Sequence, residues 1–173
     1  MHEPTASARA FEGTYVAVDV EDWPGIGPYE VVRRPGAAAV VPITPGGEVL
    51  LVRQFRPPVR DDLLEIPAGL LDVEGEDALS CAARELREET GYTHETIEFL
   101  GGCYASAGMT DEYVHLFWAR TSPEPAAAAE PGIELVRRPF AETVAAARAG
   151  RVRDAKTALA LLMAAGRVGA DLG

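Results

Sequence analysis

One amphipathic helix, read over about Asp77 to Thr90, must carry acidic side chains on the margin of its own buried face. At about 100° per residue, Ala78, Leu79, Ala82, Ala83 and Leu86 fall on a single apolar stripe. Glu89 projects inside the edge of that stripe, and Glu85 lies just beside it. These two are one turn apart, with Cβ atoms about 5–6 Å from each other, and Glu88 is next to them around the helix. Three like charges at the edge of a buried face are unfavourable unless a cation neutralises them. Hard divalent ions such as Mg²⁺ take oxygen ligands, so a metal site accounts for the cluster. The competing reading is a solvated acidic helix end held by pairs such as Arg84 with Glu88. The inward placement of Glu89, together with the rest of the motif around it, favours the metal.

The rest of the chain alternates strands with helices. Thr14–Val20 and Tyr29–Arg34 alternate in polarity across a turn-rich EDWPGIGP, which predicts an N-terminal hairpin. Ala37–Thr44 and Glu48–Phe55 are nearly all apolar, as in strands covered on both faces. A short strand, LLEIP, leads to Ala68-Gly69. Further strands are expected at Glu95–Tyr104, at Glu112–Arg120 and in GIELVRR. Two more helices follow, at about Phe140–Ala149 and Asp154–Arg167, the second with a stripe through Ala158, Leu159, Leu162 and Met163. The Pro- and Ala-rich run Thr121–Pro131 reads as a flexible loop. Strands interleaved with three helices predict an α/β fold, an α/β/α sandwich around a mixed β-sheet with an N-terminal β-hairpin. Residues 1–10 and 169–173 read as flexible tails around a single domain over 11–168, with 13–34 forming the N-terminal strands.

Composition narrows the partners. With 173 residues the chain is one domain by length, and 47% apolar content without a run of about 18 apolar residues predicts no membrane span. A net charge of −11 argues against a nucleic-acid partner. The start, MHEPTASARA, lacks a signal-peptide pattern. Cys81 and Cys103 form no disulfide framework and suit a reducing compartment, so a cytoplasmic location is expected.

The segment from Gly69 onward resembles the Nudix hydrolase signature, G-x5-E-x7-R-E-U-x-E-E-x-G-U, where U is bulky and apolar. Glu76, seven intervening residues, Arg84-Glu85, Leu86, Glu88-Glu89, Gly91 and Tyr92 all fall in place. Six residues instead of five separate Gly69 from Glu76, an insertion that a surface loop tolerates at little cost. Beyond this box, VRQFR (52–56), LLEIPAGLLD (63–72), SAGMTDE (106–112) and GRVRDAKTALALL (150–162) resemble the ADP-ribose pyrophosphatase branch. That branch usually has SPG where this chain has Ser106-Ala107-Gly108.

The resemblance implies cleavage of the diphosphate of ADP-ribose or a related ADP-sugar, to AMP and a sugar phosphate. It also implies a homodimer with N-terminal strands across the boundary. Glu85 and Glu89 become the principal metal ligands, helped by Glu88 and the backbone carbonyl of Ala68, for Mg²⁺ or alternatively Mn²⁺. Arg84 pairs with a motif glutamate, Glu88 being the expected one, and so steadies the catalytic helix. Glu112 is the expected general base or water-orienting residue. Arg56 and Arg53 are candidates for the diphosphate, Glu65 for the terminal ribose or the metal, and Tyr15 or Tyr29 for stacking on the base. The alternatives are a Nudix hydrolase for another nucleoside diphosphate derivative (a sugar nucleotide, dinucleotide or damaged nucleotide) or a non-catalytic nucleotide-sensing module.

Overall fold

The computed structural model describes residues 2–168, so the expected tail at 169–173 lies outside the described residues. A mixed sheet is built from β4 (Ala37–Ile43), β5 (Glu48–Arg56), β6 (Asp61–Glu65), β7 (Ala68–Leu70), β8 (His94–Tyr104), β9 (Tyr113–Thr121) and β10 (Glu134–Pro139). Its order is β10-β5-β4-β9-β8, with β6 added to β5 and β7 to β4. β4 runs parallel to β9, and its other neighbours are antiparallel. Helix α1 (Ala78–Thr90) covers one face, where Cys81, Ala82 and Leu86 meet Val40, Leu50 and Phe117. Helices α2 (Phe140–Arg148) and α3 (Ala155–Val168) cover the other, over Val41, Leu51, Leu116 and Trp118. This is the expected α/β/α sandwich. β4, buried along its whole length, is its central layer.

The sheet opens where the site forms. Among the described residues, β4 and β5 pair only at Ile43↔Val49. Past that rung, β5 takes β6 as its partner and β4 takes β7. The C-terminal end of α1 arrives over this split.

Several elements depart from expectation. The stretch expected as an N-terminal tail carries the start of β1 (Ala6–Glu12), which pairs with β2 (Ala17–Trp23), which pairs with β3 (Gly27–Arg33). The hairpin is therefore two strands of a three-stranded sheet. Arg9 and Arg33 both bind the buried Asp19, which ties β1 and β3 to the middle strand. The stripe on α1 is rotated: Leu79 is exposed, and Cys81 joins Ala82 and Leu86 inside. On α3, Leu159 and Leu162 face outward, and Thr157, Ala160, Leu161 and Ala164 pack inward. Small residues let α3 approach the sheet closely, and the Thr157 hydroxyl accepts the Ile66 N–H at 2.9 Å. The 121–131 loop folds back on α1, with Ala126 N–H donating to Gly91 O and Glu130 N–H to Glu88 O, each at 2.8 Å.

Candidate active site

Helix α1 is fixed at both ends. Asp77 is its N-cap and accepts from Ser80 N–H at 2.7 Å, and Gly91 closes it in the left-handed conformation. Between these stops the helix presents Glu85 and Glu89 to the split in the sheet, with Arg84 and Glu88 beside them. Glu89 is the innermost, 6% exposed. Its carboxylate accepts from the Gln54 amide of β5 at 3.1 Å and from the Ala68 N–H of β7 at 3.1 Å. Burial is the chief cause that raises its pKa to about 7, and the neighbouring Glu85 adds to the rise.

Glu85 is also buried, and burial lifts its pKa against the pull of Arg84. Its carboxylate lies against the α-carbon of Gly69, where any Cβ would overlap it. The glycine of the motif is therefore required by close approach to the Glu85 carboxylate. Arg84 forms a two-pronged bond with the motif's Glu76, at 2.8 and 3.0 Å. Its remaining nitrogen reaches Glu85 and, at 3.0 Å, Glu88. Glu76 sits in the loop before the helix, so one guanidinium locks loop and helix together. Glu88 is half exposed on the outer side of the cluster.

Among the described residues, no group of three or more His, Cys, Asp and Glu side chains is preassembled as a metal cage. The donor set nevertheless fits a hard divalent ion. Among the described residues Glu89 is a buried carboxylate without an ion pair, and Glu85 and Glu88 share a single arginine. Mg²⁺ is commonly held by one or two carboxylates, with water and substrate phosphates completing its shell. Cys81 is no candidate ligand or nucleophile, since burial pushes its thiol up to about 11.

A second cluster adjoins this one along β5. Arg56 meets Glu65 through two bonds of 2.6 and 2.9 Å, and Lys156 from α3 binds the same carboxylate. Glu65 is 2% exposed and both its oxygens are engaged, so it anchors Arg56. Arg53 turns to the opposite face of the sheet. It pairs with Glu134 at 3.1 Å and lines a cavity of about 580 Å³ beside α2 and α3, apart from Arg56.

Glu112 directly precedes β9 and is mostly buried, paired with Arg34 at 3.5 Å. Val114 and Leu70 flank Ala37 from either side, so Val114, two residues after Glu112, stands about two strand spacings, ~10 Å, from β7. Tyr15 is exposed in the turn between β1 and β2, on a shallow cavity that Arg34 and Asp111 also line. Tyr29 donates its hydroxyl hydrogen to Gly108 O at 2.6 Å. Gln54 and Lys156 join the site without a local sequence signal of their own. Gln54 lies within the motif-like VRQFR and Lys156 within RDAKT, but only tertiary contact gives either a role.

Comparison with known proteins agrees with this geometry. The NUDIX domain profile matches residues 32–161. A methanol dehydrogenase activator from Bacillus methanolicus is 38% identical over 136 residues, 76% of this chain and 73% of that one. An ADP-ribose pyrophosphatase from Bacillus subtilis (strain 168) is 46% identical over 90 residues, 52% of this chain and 48% of that one. A GDP-mannose pyrophosphatase from Yersinia enterocolitica is 36% identical over 140 residues, 75% of this chain and 72% of that one. The fold is shared with a solved ADP compounds hydrolase, at a TM-score of 0.80 and 20% identity over 99% of this chain and 96% of that one. Among the described residues no helix is long and apolar enough to cross a membrane. The motif on α1, the sheet that receives it and these relatives together assign the chain to the NUDIX family of hydrolases.

Proposed function

We propose that this enzyme hydrolyses the diphosphate of ADP-ribose or a related ADP-sugar to AMP and a sugar phosphate, using Mg²⁺ or Mn²⁺. The observation that carries the reading is the buried carboxylate of Glu89, unpaired by any cation among the described residues, beside Glu85 on the bare α-carbon of Gly69. Nudix hydrolases generally use divalent metal ions. Here Glu85 and Glu89, with Glu88 and the Ala68 carbonyl, would hold the ion. Such an ion neutralises phosphate oxygens and lowers the pKa of a water. Arg56, held by the Glu65 carboxylate that Lys156 also binds, reaches toward the same split and supplies a fixed positive charge for the diphosphate. Arg84 keeps the helix and the Glu76 loop in register. Glu112 orients the attacking water or takes its proton, once released from Arg34.

A sugar-nucleotide substrate with another base is the second reading, supported by the GDP-mannose pyrophosphatase aligned over three quarters of the chain. We further propose a cytoplasmic homodimer joined through the N-terminal sheet, whose outer face exposes Phe11 and Val20. Light scattering should then give twice 18.4 kDa. The deciding assay is a panel of ADP-ribose, ADP-glucose and GDP-mannose with Mg²⁺. AMP release from ADP-ribose with the highest kcat/KM supports the first reading. Preference for GDP-mannose replaces it with the second, and no turnover of any member defeats both.

A further inference from the structure

The loop that carries Glu112 is bound to the N-terminal sheet of its own chain at several independent points. Tyr29 of β3 donates to Gly108 O at 2.6 Å, and Val32 N–H donates to Met109 O at 2.8 Å. Arg33 meets Asp111 at 3.0 Å, and Arg34 N–H donates to the other Asp111 oxygen at 3.3 Å. Val32 also forms a parallel bridge with Thr110. Every residue from Gly108 to Asp111 thus touches β3 or the residue after it, and Glu112 comes next.

We infer that β3 is an internal strut for the catalytic loop, with Tyr29 and Asp111 as positioning residues that set the place of Glu112. The turn at the tip shows why the loop needs such support. Ser106 C=O accepts from both Met109 N–H and Thr110 N–H at 2.9 Å, so Ala107 occupies the second position of a tight turn. Proline is favoured at that position because its fixed φ matches the turn. Ala107 has no left-handed φ, and its N–H takes no part in the turn's hydrogen bonds, so proline would fit there. Alanine leaves the tip free to adopt other conformations, and the bonds to β3 supply the restraint that proline would have built into the backbone. The N-terminal sheet therefore acts on catalysis within one chain, through the geometry of the loop. This inference rests on the reading that Glu112 acts on water.

The test uses the full chain and the hydrolysis assay, with hydrogen exchange on the loop. Tyr29→Phe keeps the ring and deletes the donated bond. It should lower kcat on the order of ten-fold, change KM less than about two-fold, and speed exchange of the Met109 and Thr110 amides. Asp111→Asn, which keeps the shape and loses the charge facing Arg33, should act in the same direction. Adding Ala107→Pro to Tyr29→Phe should recover most of the lost kcat and slow the exchange again. Wild-type kcat in both Tyr29→Phe and Asp111→Asn overturns the strut, as does a loss that Ala107→Pro leaves unrecovered. Glu112→Gln separates this from the underlying reading. If Glu112→Gln itself keeps wild-type kcat, the role of Glu112 fails, whatever the loop does.

Discussion

Two buried carboxylates, one on β6 and one on α1, are treated in opposite ways by their surroundings. Glu65 is 2% exposed and Glu89 is 6% exposed, so both are removed from water to a similar degree. For Glu65, burial pushes the pKa up, but the Arg56 fork and the Lys156 ammonium outweigh it and hold the group below the ordinary carboxylate value. For Glu89, burial wins, because its direct partners are an amide and a backbone N–H, and its pKa rises to about 7. Burial alone therefore does not mark a functional site. A carboxylate matched by fixed cations is part of the framework, whereas one buried without them is poised for a mobile cation. The difference separates the Arg56 anchor from the edge of α1 proposed to bind the metal.

The comparison breaks most severely at Gly69. Gly69→Ala would drive a methyl group into the Glu85 carboxylate and displace it from its place beside Glu89. Catalytic efficiency should fall by about a hundred-fold or more, since a misplacement of about 1 Å can cost that much. Circular dichroism should still show a folded chain. Near-wild-type activity in Gly69→Ala would mean that the position of Glu85 does not matter to the chemistry.

Much of the α1 side is legible in the sequence, because its residues lie within one helix and one preceding loop, where spacing determines neighbours. Glu85, Glu88 and Glu89 cluster as the 3.6-residue period requires. The split in the sheet is not legible, and neither is Gln54, which reaches Glu89 across 35 positions. Lys156 lies 91 positions from Glu65 and reads in sequence as an ordinary helix residue. The outward Leu159 and Leu162 mislead for a related reason: periodicity reports a stripe of bulky residues, but close helix–sheet packing selects the small ones. Likewise Arg53 and Arg56 share a strand and a motif, and the pleat sends them to opposite faces. The first ten residues read as a tail because β1 is exposed throughout, and only its pairing with β2 orders it.

A smaller effect is expected on the Glu65 side. Glu65→Gln leaves Lys156 and Arg56 facing a neutral amide, and should destabilise the fold by about 1–3 kcal/mol. That is less than a fully buried pair would lose, because Arg56 is 40% exposed. The pH dependence carries the sign. A depressed folded pKa contributes stability above the unfolded value of about 4.5, and loses it as pH falls through the depressed folded value. The gap in thermal stability between wild type and Glu65→Gln should therefore be widest near neutral pH and shrink below about pH 4.5. A gap that stays constant down to about pH 3 would show that the carboxylate is not held by its two cations.

The most direct measurement is a Mg²⁺ titration of AMP release from ADP-ribose, run side by side on wild type, Glu89→Gln and Glu65→Gln, each beginning in chelator. Wild type should be inactive in chelator and regain full activity as the ion is added. Glu89→Gln should remain about a hundred-fold or more below wild type at saturating Mg²⁺. Glu65→Gln should respond to Mg²⁺ at the same concentration as wild type, with a reduced plateau or a raised KM from the loosened Arg56. Full activity of Glu89→Gln in chelator would contradict the account, because the buried carboxylate without a fixed cation would then have no ion to bind.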